Sequence, residues 1–459
     1  MRPKRTRRNA HKPLLTAFAC AAGILATAPM QAQRGAPLPL TLPQAIDLAL
    51  KQNRNLKLAQ LSVTESEYKK EIAHSAYLPH IKNDSNILHV TELAGVEIPT
   101  GAFGLPTATG PIPPHDLFLD QGSLTSYTSG TQLTQPLTQM FKIHESNRAA
   151  TADINTAKIQ LNQAENEIAL KVRQLYFGLL IAKLKLDAAK DEISASEVKN
   201  RESIDAVANG RALDIAALES RAAVLDAQQT ALTQNLQIHD LTLSLDDLLG
   251  LPLNTQLQLD PDISAMAMPL PSREECIRIA REQSPTIRSA QQVVLKAKAG
   301  LGVAKDAYIP DITGLARYSY QSGVPLLVHN FGTFGVNLSY DLFDGGRRGA
   351  EIKDAKTLLS QAQLNLDKVQ DEVDVEVESA YDKVEQLQSL VHVAAEMLDV
   401  RTEAARLADR QVEQSAALAS ARSEAHAKAT SARASLLEAT LGLSLAQGDL
   451  KRIIGQMPR

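Results

Sequence analysis

The stretch Ala76-Tyr77-Leu78-Pro79-His80-Ile81 returns 231 positions later as Ala307-Tyr308-Ile309-Pro310-Asp311-Ile312. The likeness extends outward from there. Residues 42–81 align with 273–312 without a gap, pairing Ile46 with Ile277, Ala49 with Ala280, Gln52 with Gln283, Ala59 with Ala290, Gln60 with Gln291 and Val63 with Val294. A second block, 133–250, matches 338–455 at an offset of 205, through Leu133/Leu338, Leu137/Leu342, Leu161/Leu366, Glu167/Glu372, Tyr176/Tyr381, Val207/Val412, Leu213/Leu418, Glu219/Glu424 and Gly250/Gly455. Self-similarity that holds register this far is the mark of an internal repeat. The fall in offset places 26 extra residues in the first copy, within 82–132.

Each copy opens with a predicted helix of about 35 residues, near 44–78 and 274–309. Pro79 and Pro310 close these helices, because proline disfavours α geometry in the residue before it. Extended segments follow. In 334–342, Phe334, Val336, Leu338, Tyr340 and Leu342 share one face; Gly335, Asn337, Ser339 and Asp341 share the other. Residues 313–320 alternate likewise, with Ala316, Tyr318 and Tyr320 opposite Thr313, Arg317 and Ser319. Period two with one apolar face predicts strands. Tyr127, Thr131, Leu133 and Leu137 give a weaker version in the first copy, and 81–90 a weaker one still. Lengths near ten residues suit tilted membrane strands. Nine of the chain's seventeen aromatic residues fall here or in the neighbouring loops: Phe103, Phe118, Tyr127, Tyr318, Tyr320, Phe331, Phe334, Tyr340 and Phe343. That is the pattern of an interfacial girdle, although the chain has no Trp.

Residues 141–206 contain no proline and a single glycine, Gly178. A helix of that length reaches about 100 Å. Its repeat equivalent is 350–411, and shorter partners at 212–249 and 417–454 run back, ending before Gly250 and Gly455. The turns are Ala208-Asn209-Gly210 and Glu413-Gln414-Ser415. These helices are rich in Ala, Gln, Leu, Glu and Lys without strict long-range heptads, which favours arrays of helices over a two-stranded coiled coil. The expected fold is mainly α with a membrane β-barrel, built from a duplicated helix-strand-strand-helix-helix unit. Residues 33–256 form the first copy and 257–459 the second.

The N-terminus, 1–32, reads as a secretory signal peptide. A basic stretch with Arg2, Lys4, Arg5, Arg7, Arg8 and Lys12 precedes an apolar run from Leu14 to Ala28, too short to span a membrane. Ala32 is the better cleavage site, since Pro29 directly follows Ala28. Ala17 stands where a lipoprotein signal around Cys20 would want Leu. The 48 basic and 52 acidic residues of the whole chain become 42 and 52 after cleavage, a net charge of −10. Such a surface argues against nucleic acid as a partner. Cys276 alone remains, so no intrachain disulfide forms. With no second long apolar run, any membrane crossing must use strands. Four strands per chain cannot close a barrel, and strand edges are forbidden in lipid. Two chains would give a filled eight-stranded barrel; three would give twelve strands and a lumen.

At this point the chain resembles the TolC family of outer-membrane efflux proteins. Leu42-Pro43-Gln44-Ala45-Ile46-Asp47-Leu48-Ala49 is similar to the family's opening helix. Tyr77-Leu78-Pro79 and Tyr308-Ile309-Pro310 resemble its helix-to-strand transition, and Tyr340-Asp341-Leu342-Phe343-Asp344-Gly345-Gly346-Arg347-Arg348 its strand-to-helix signature. The match covers 40–456. The resemblance implies a homotrimer in the outer membrane of a Gram-negative bacterium, with a twelve-stranded barrel in lipid and a helical barrel in the periplasm. The helix turns would meet a periplasmic adaptor that links to an inner-membrane transporter, and the duct would open at its tip.

The residues show no catalytic constellation and imply no cofactor. His74, His80 and His89 have no metal-binding spacing, and Asp344-Gly345-Gly346-Arg347-Arg348-Gly349 lacks the Lys-Ser/Thr of a P-loop. Asp344 reads as a helix N-cap. The functional candidates lie at the tip turns. Asn209, Gly210 and Leu213, with Gln414, Ser415 and Leu418, occupy the adaptor-facing position of the family. Asp205 and Asp214 flank the first turn, with Arg201 and Arg211 as bridge partners. Repeated around a lumen, carboxylates attract cations and hold a constriction with arginines. A solvated helix face accounts for the same charges. The second copy carries Ala419 where the first has Asp214. Residues 92–122, with Pro99, Pro106, Pro111, Pro113 and Pro114, read as an extracellular loop. The rival readings are a periplasmic adaptor, which would carry one hairpin, and a structural coiled-coil envelope protein, which would lack the alternating strand; an enzyme fits least.

Overall fold

Proline and small polar residues, rather than runs of hydrophobicity, divide this chain into elements. The computed structural model describes residues 38–93, 95–104, 110–119, 122–253, 255–260, 270–323, 328–415 and 417–456. The segment read as a signal peptide lies outside them. In order the elements are β1 (Leu38–Leu40), α1 (Leu42–Gln52), α2 (Arg54–Ser75), β2 (His80–His89), β3 (Val96–Ile98), β4 (Leu117–Leu119), β5 (Thr125–Pro136), α3 (Met140–Ala208) and α4 (Asp214–Leu249). The second half continues with β6 (Leu257–Leu259), α5 (Arg273–Gln283), α6 (Pro285–Asp306), β7 (Asp311–Ser322), β8 (Asn330–Ser339), α7 (Arg347–Glu413) and α8 (Ala419–Ile453). The order α, α, β, β, α, α occurs twice, with β3 and β4 inserted in the first copy. Among the described residues no helix is long and apolar enough to cross a membrane.

Each opening helix is two helices, not the single one of about 35 residues expected. Asn53 is extended (ψ 127°), and its side chain accepts the N–H groups of Asn55 and Leu56, so it ends α1 and caps α2. Ser284, its repeat equivalent, precedes Pro285, which excludes α geometry from Ser284 and opens α6. α1 itself starts with a reciprocal cap between Thr41 and Gln44. α2 and α6 stop at Ser75 and Asp306, three residues before the sequence reading placed their ends.

The long helices came out close to expectation: α3 has 69 residues and α7 has 67. They form one layer. α3 packs on α4 and α8 below and on α2 and α6 above; α7 packs on α8 and α6. The largest apolar clusters lie where the short helices dock. Ala45 and Ala49 of α1 pack with Val172, Tyr176, Leu179, Leu245 and Leu249. Cys276, Ile279 and Ala280 of α5 pack with Val373, Val377, Leu450 and Ile454. A short parallel pair, β1 with β6, closes the first cluster and was not anticipated. Tyr176 Oη lies 2.9 Å from the Leu40 carbonyl oxygen, to which it donates, and accepts the Asp260 N–H at 2.9 Å.

The four longer strands form an antiparallel sheet in the order β2-β5-β7-β8. Its register sorts the side chains. Ile81 faces Leu133, Leu133 faces Ala316, and Ala316 faces Phe334. Ile87, Tyr127, Tyr318, Tyr320, Val336 and Leu338 share that apolar face. Lys82, Gln132, Arg317 and Thr333 form one row of the opposite face. Both outer strands, β2 and β8, are exposed along their whole length, and Phe334 is 89% exposed. The polar residues at mid-height of the apolar face satisfy one another: Asn83 Nδ2 donates to Thr131 Oγ1 at 2.8 Å, and Ser85 Oγ donates to Asn83 Oδ1 at 2.9 Å.

Two readings need correction here. The 92–122 stretch is not a plain loop: β3 and β4 pair antiparallel within it, and the Phe118 ring lies over Gly95, where a Cβ would clash at 1.9 Å. Asp344 is not the N-cap of α7; Gly346, at φ 89°, occupies that position. Asp344 still receives the N–H groups of Gly346 and Arg348, each at 3.0 Å. The Arg348 guanidinium at 2.7 Å holds its carboxyl down at about 2.

Candidate functional site at the helical tip

α3 ends at Ala208 and α4 starts at Asp214, so the first turn is five residues long. Gly210 takes φ 65°, a left-handed conformation that glycine adopts without a Cβ clash, and the Arg211 N–H returns to the Ala206 carbonyl at 2.8 Å. Asn209 Nδ2 donates to the Asp205 carbonyl at 2.6 Å. Leu213 is the N-cap of α4 and is 78% exposed. The second turn follows the same course without glycine: Ser415 takes φ 57°. Gln414 and Ser415 are exposed, as is Leu418, the N-cap of α8. All six residues singled out for partner contact therefore lie on the surface of the two turns.

The charged candidates are also on the surface. Asp205, Asp214, Arg201 and Arg211 are exposed, and none of the four forms an ion pair with another described residue of this chain. Arg201 Nε instead donates to the Glu197 carbonyl at 3.4 Å. The expected bridge between these arginines and acids is absent within one chain among the described residues. The physical reason is placement: each side chain has water on its open side, and an exposed pair gains little over hydration.

What binds the tip together was not visible in the motifs. Glu202 of α3 accepts the backbone N–H of Ser420, at the start of α8, at 3.0 Å. Higher up, Thr430 Oγ1 donates to Asp191 at 2.7 Å and Lys185 pairs with Glu438 at 2.8 Å. Within the second hairpin, Asp409 of α7 receives Arg422 Nε at 2.8 Å and lies 3.0 Å from His426 Nε2. The His426 contact, and then Arg422, holds the Asp409 carboxyl below the usual carboxylate range. In the first hairpin, Ser220 Oγ donates to Asn200 Oδ1 at 3.0 Å. A signal existed for the intra-hairpin pairs. Asn200 and Ser220 are equidistant from Gly210, and Asp409 and Arg422 lie six and seven residues from Ser415, the repeat equivalent of Gly210. Antiparallel helices joined by a tight turn bring such positions face to face.

The pattern of the outer membrane efflux protein family matches residues 45–251 and 276–456, both halves of the duplication. The chain belongs to the outer membrane efflux protein family. It is 25% identical over 366 residues to the outer membrane efflux protein BepC of Brucella suis biovar 1, covering 76% of this chain and 71% of that one. Its fold is that of solved outer-membrane channels. CmeC of Campylobacter jejuni superposes with a TM-score of 0.72 at 17% identity, over 90% of this chain and 85% of that one. The open-state MtrE channel of Neisseria gonorrhoeae gives 0.69 at 18% identity, over 91% and 89%. The protein is thus an outer-membrane efflux channel whose four-stranded sheet lies in the membrane and whose helices extend into the periplasm. Outer membrane efflux proteins are ducts that work with an adaptor and an inner-membrane pump. The sequence reading of mainly helical, duplicated architecture with a membrane sheet agrees with the family and with these folds.

Proposed function

We propose that the mature protein, residues 33–459, works as a homotrimer that forms a passive duct from periplasm to exterior. The supporting observation is the pair of open edges on one sheet. β2 and β8 are both unpaired on their outer sides, although both carry apolar side chains on the face suited to lipid. A sheet in lipid cannot leave N–H and C=O groups unpaired, so β8 of one copy pairs with β2 of the next. Three copies make twelve strands and leave a lumen. The helical layer supports the same assembly, since both of its edges expose apolar side chains. Leu364, Val375, Val393 and Val400 are exposed on α7; Leu218, Leu232 and Leu236 on α4; and Leu58, Leu61 and Ile72 on α2.

In this reading the tip faces the adaptor through Asn209, Gly210, Leu213, Gln414, Ser415 and Leu418. Exposed leucines beside small turn residues suit a partner helix. Asp205 and Asp214 occur three times each around the narrow end and attract cations, with Arg201 and Arg211 of neighbouring copies as their partners. The deciding measurement is the native mass of the mature protein extracted in detergent from the outer-membrane fraction. A trimer is the expected result. A monomer or dimer in the soluble periplasmic fraction would overturn the reading.

A further inference from the structure

We infer that Arg317 sets the ionic preference of the β-barrel segment and draws anions into the outer part of the duct. The inference rests on the trimeric duct proposed above. The face bearing Ile81, Phe334 and Val336 is the one suited to lipid, so the opposite face looks into the lumen. The acids and bases of that lumen face are Lys82, Asp84, Asp311 and Arg317, with His80 at its periplasmic end. Lys82 and Asp84 pair at 2.8 Å, and Asp311 pairs with Lys142 of α3 at 2.8 Å. Arg317 has no ion-pair partner among the described residues. Among the described residues it is the uncompensated charge of that face.

It is also held in place. Arg317 stands opposite Gln132 on one side and Thr333 on the other. Its guanidinium lies over Gly130, on which a Cβ would fall 2.5 Å from Nη2 and 2.6 Å from Nε. Gly130 is thus a notch in which the planar group rests against the sheet. Arginine stays charged at every working pH. A fixed charge on a low-dielectric wall concentrates counter-ions over about a Debye length, roughly 10 Å at 0.1 M salt. Three copies of Arg317 at one height make the outer segment cationic, in series with a tip whose exposed acids have the opposite sign. Small anions and anionic groups of a cargo are the chemical class this segment favours.

The test is the reversal potential of the full mature trimer in planar bilayers under a KCl gradient at low ionic strength. Asp205→Asn and Asp214→Asn are present throughout, so that the tip acids do not mask the barrel. Arg317→Gln is expected to lower the anion-over-cation permeability ratio about two- to threefold, and Arg317→Glu to lower it further. Arg317→Lys is expected to retain it. If Arg317→Gln does not assemble, Thr333→Glu places a carboxylate across from Arg317 and should lower the ratio in the same direction. A conducting channel whose ratio ignores position 317 and Thr333→Glu overturns the inference and leaves the duct reading standing. A pure trimer that never conducts overturns the duct reading, and the inference with it.

Discussion

The Glu202 carboxylate of α3 accepts the N–H of Ser420 at 3.0 Å, so a residue of the first repeat caps a helix of the second. α8 has no side-chain cap of its own, because Leu418 occupies its N-cap position. The first N–H groups of a helix lack intrahelical partners and carry partial positive charge, which a carboxylate satisfies. Glu202→Ala should therefore loosen the start of α8 by ~1 kcal/mol, the usual value of a lost cap. Amide exchange in the first turn of α8 should quicken about fivefold, while exchange at the start of α4 stays unchanged. Equal protection in the two proteins would show that the contact does not cap α8.

The second hairpin should be sensitive to acid. Asp409 is held below its usual value by His426 and Arg422, so its folded value lies below its unfolded one. A depressed carboxylate stabilises the fold above the unfolded value near 3.8 and loses that contribution as pH falls through the folded value. Acid-induced loss of exchange protection around Asp409 is thus expected at the low end of the scale and not near neutrality. Asp409→Asn should remove this pH dependence.

Asp205→Asn and Asp214→Asn should each reduce the preference of the trimer for cations, and the double variant should do so more. Both side chains are exposed and unpaired by described residues of their own chain, so neutralising them leaves no buried partner stranded. Native mass should stay that of the wild type. An unchanged reversal potential would place these acids outside the ion path.

The duplication supplies its own control for packing. Tyr176 is 2% exposed and its hydroxyl serves the backbone of Leu40 and Asp260. Tyr176→Phe removes the hydroxyl's bonds while the Asp260 N–H keeps its 3.3 Å bond to the Leu40 carbonyl, and should cost about 1 kcal/mol. Its repeat equivalent, Tyr381, is half-buried, with the Arg273 guanidinium 4.9 Å from the ring centroid. Tyr381→Phe keeps that ring and should lower the thermal midpoint far less. Equal losses at the two positions would contradict the roles assigned here.

Much of the fold was legible because it follows from local rules. Pro79 and Pro310 mark where helix gives way to strand, and the alternation from Phe334 to Leu338 marks one of the strands. The proline-free run from 141 to 206, with Gly178 as its single glycine, foretold α3. The breaks at Asn53 and Ser284 were missed, although Pro285 announced the second. β1 and β6 were illegible, since three residues are too few to show a period and each is a strand only because the other lies beside it.

The candidate site divides along the same line. The two turns, the residues on them and the charges around them were legible in the sequence, because the long helical runs are interrupted there by Asn209-Gly210 and Gln414-Ser415, residues that favour a helix end. Only the tertiary structure decided that α8 lies beside α3. That neighbour is what brings Glu202 to Ser420, 218 residues away, and Asp191 to Thr430, 239 residues away. The physical reason is that the long helices are weakly amphipathic and rich in alanine, so several of their faces could have been buried. Which one is buried depends on how two hairpins and a four-stranded sheet pack at once.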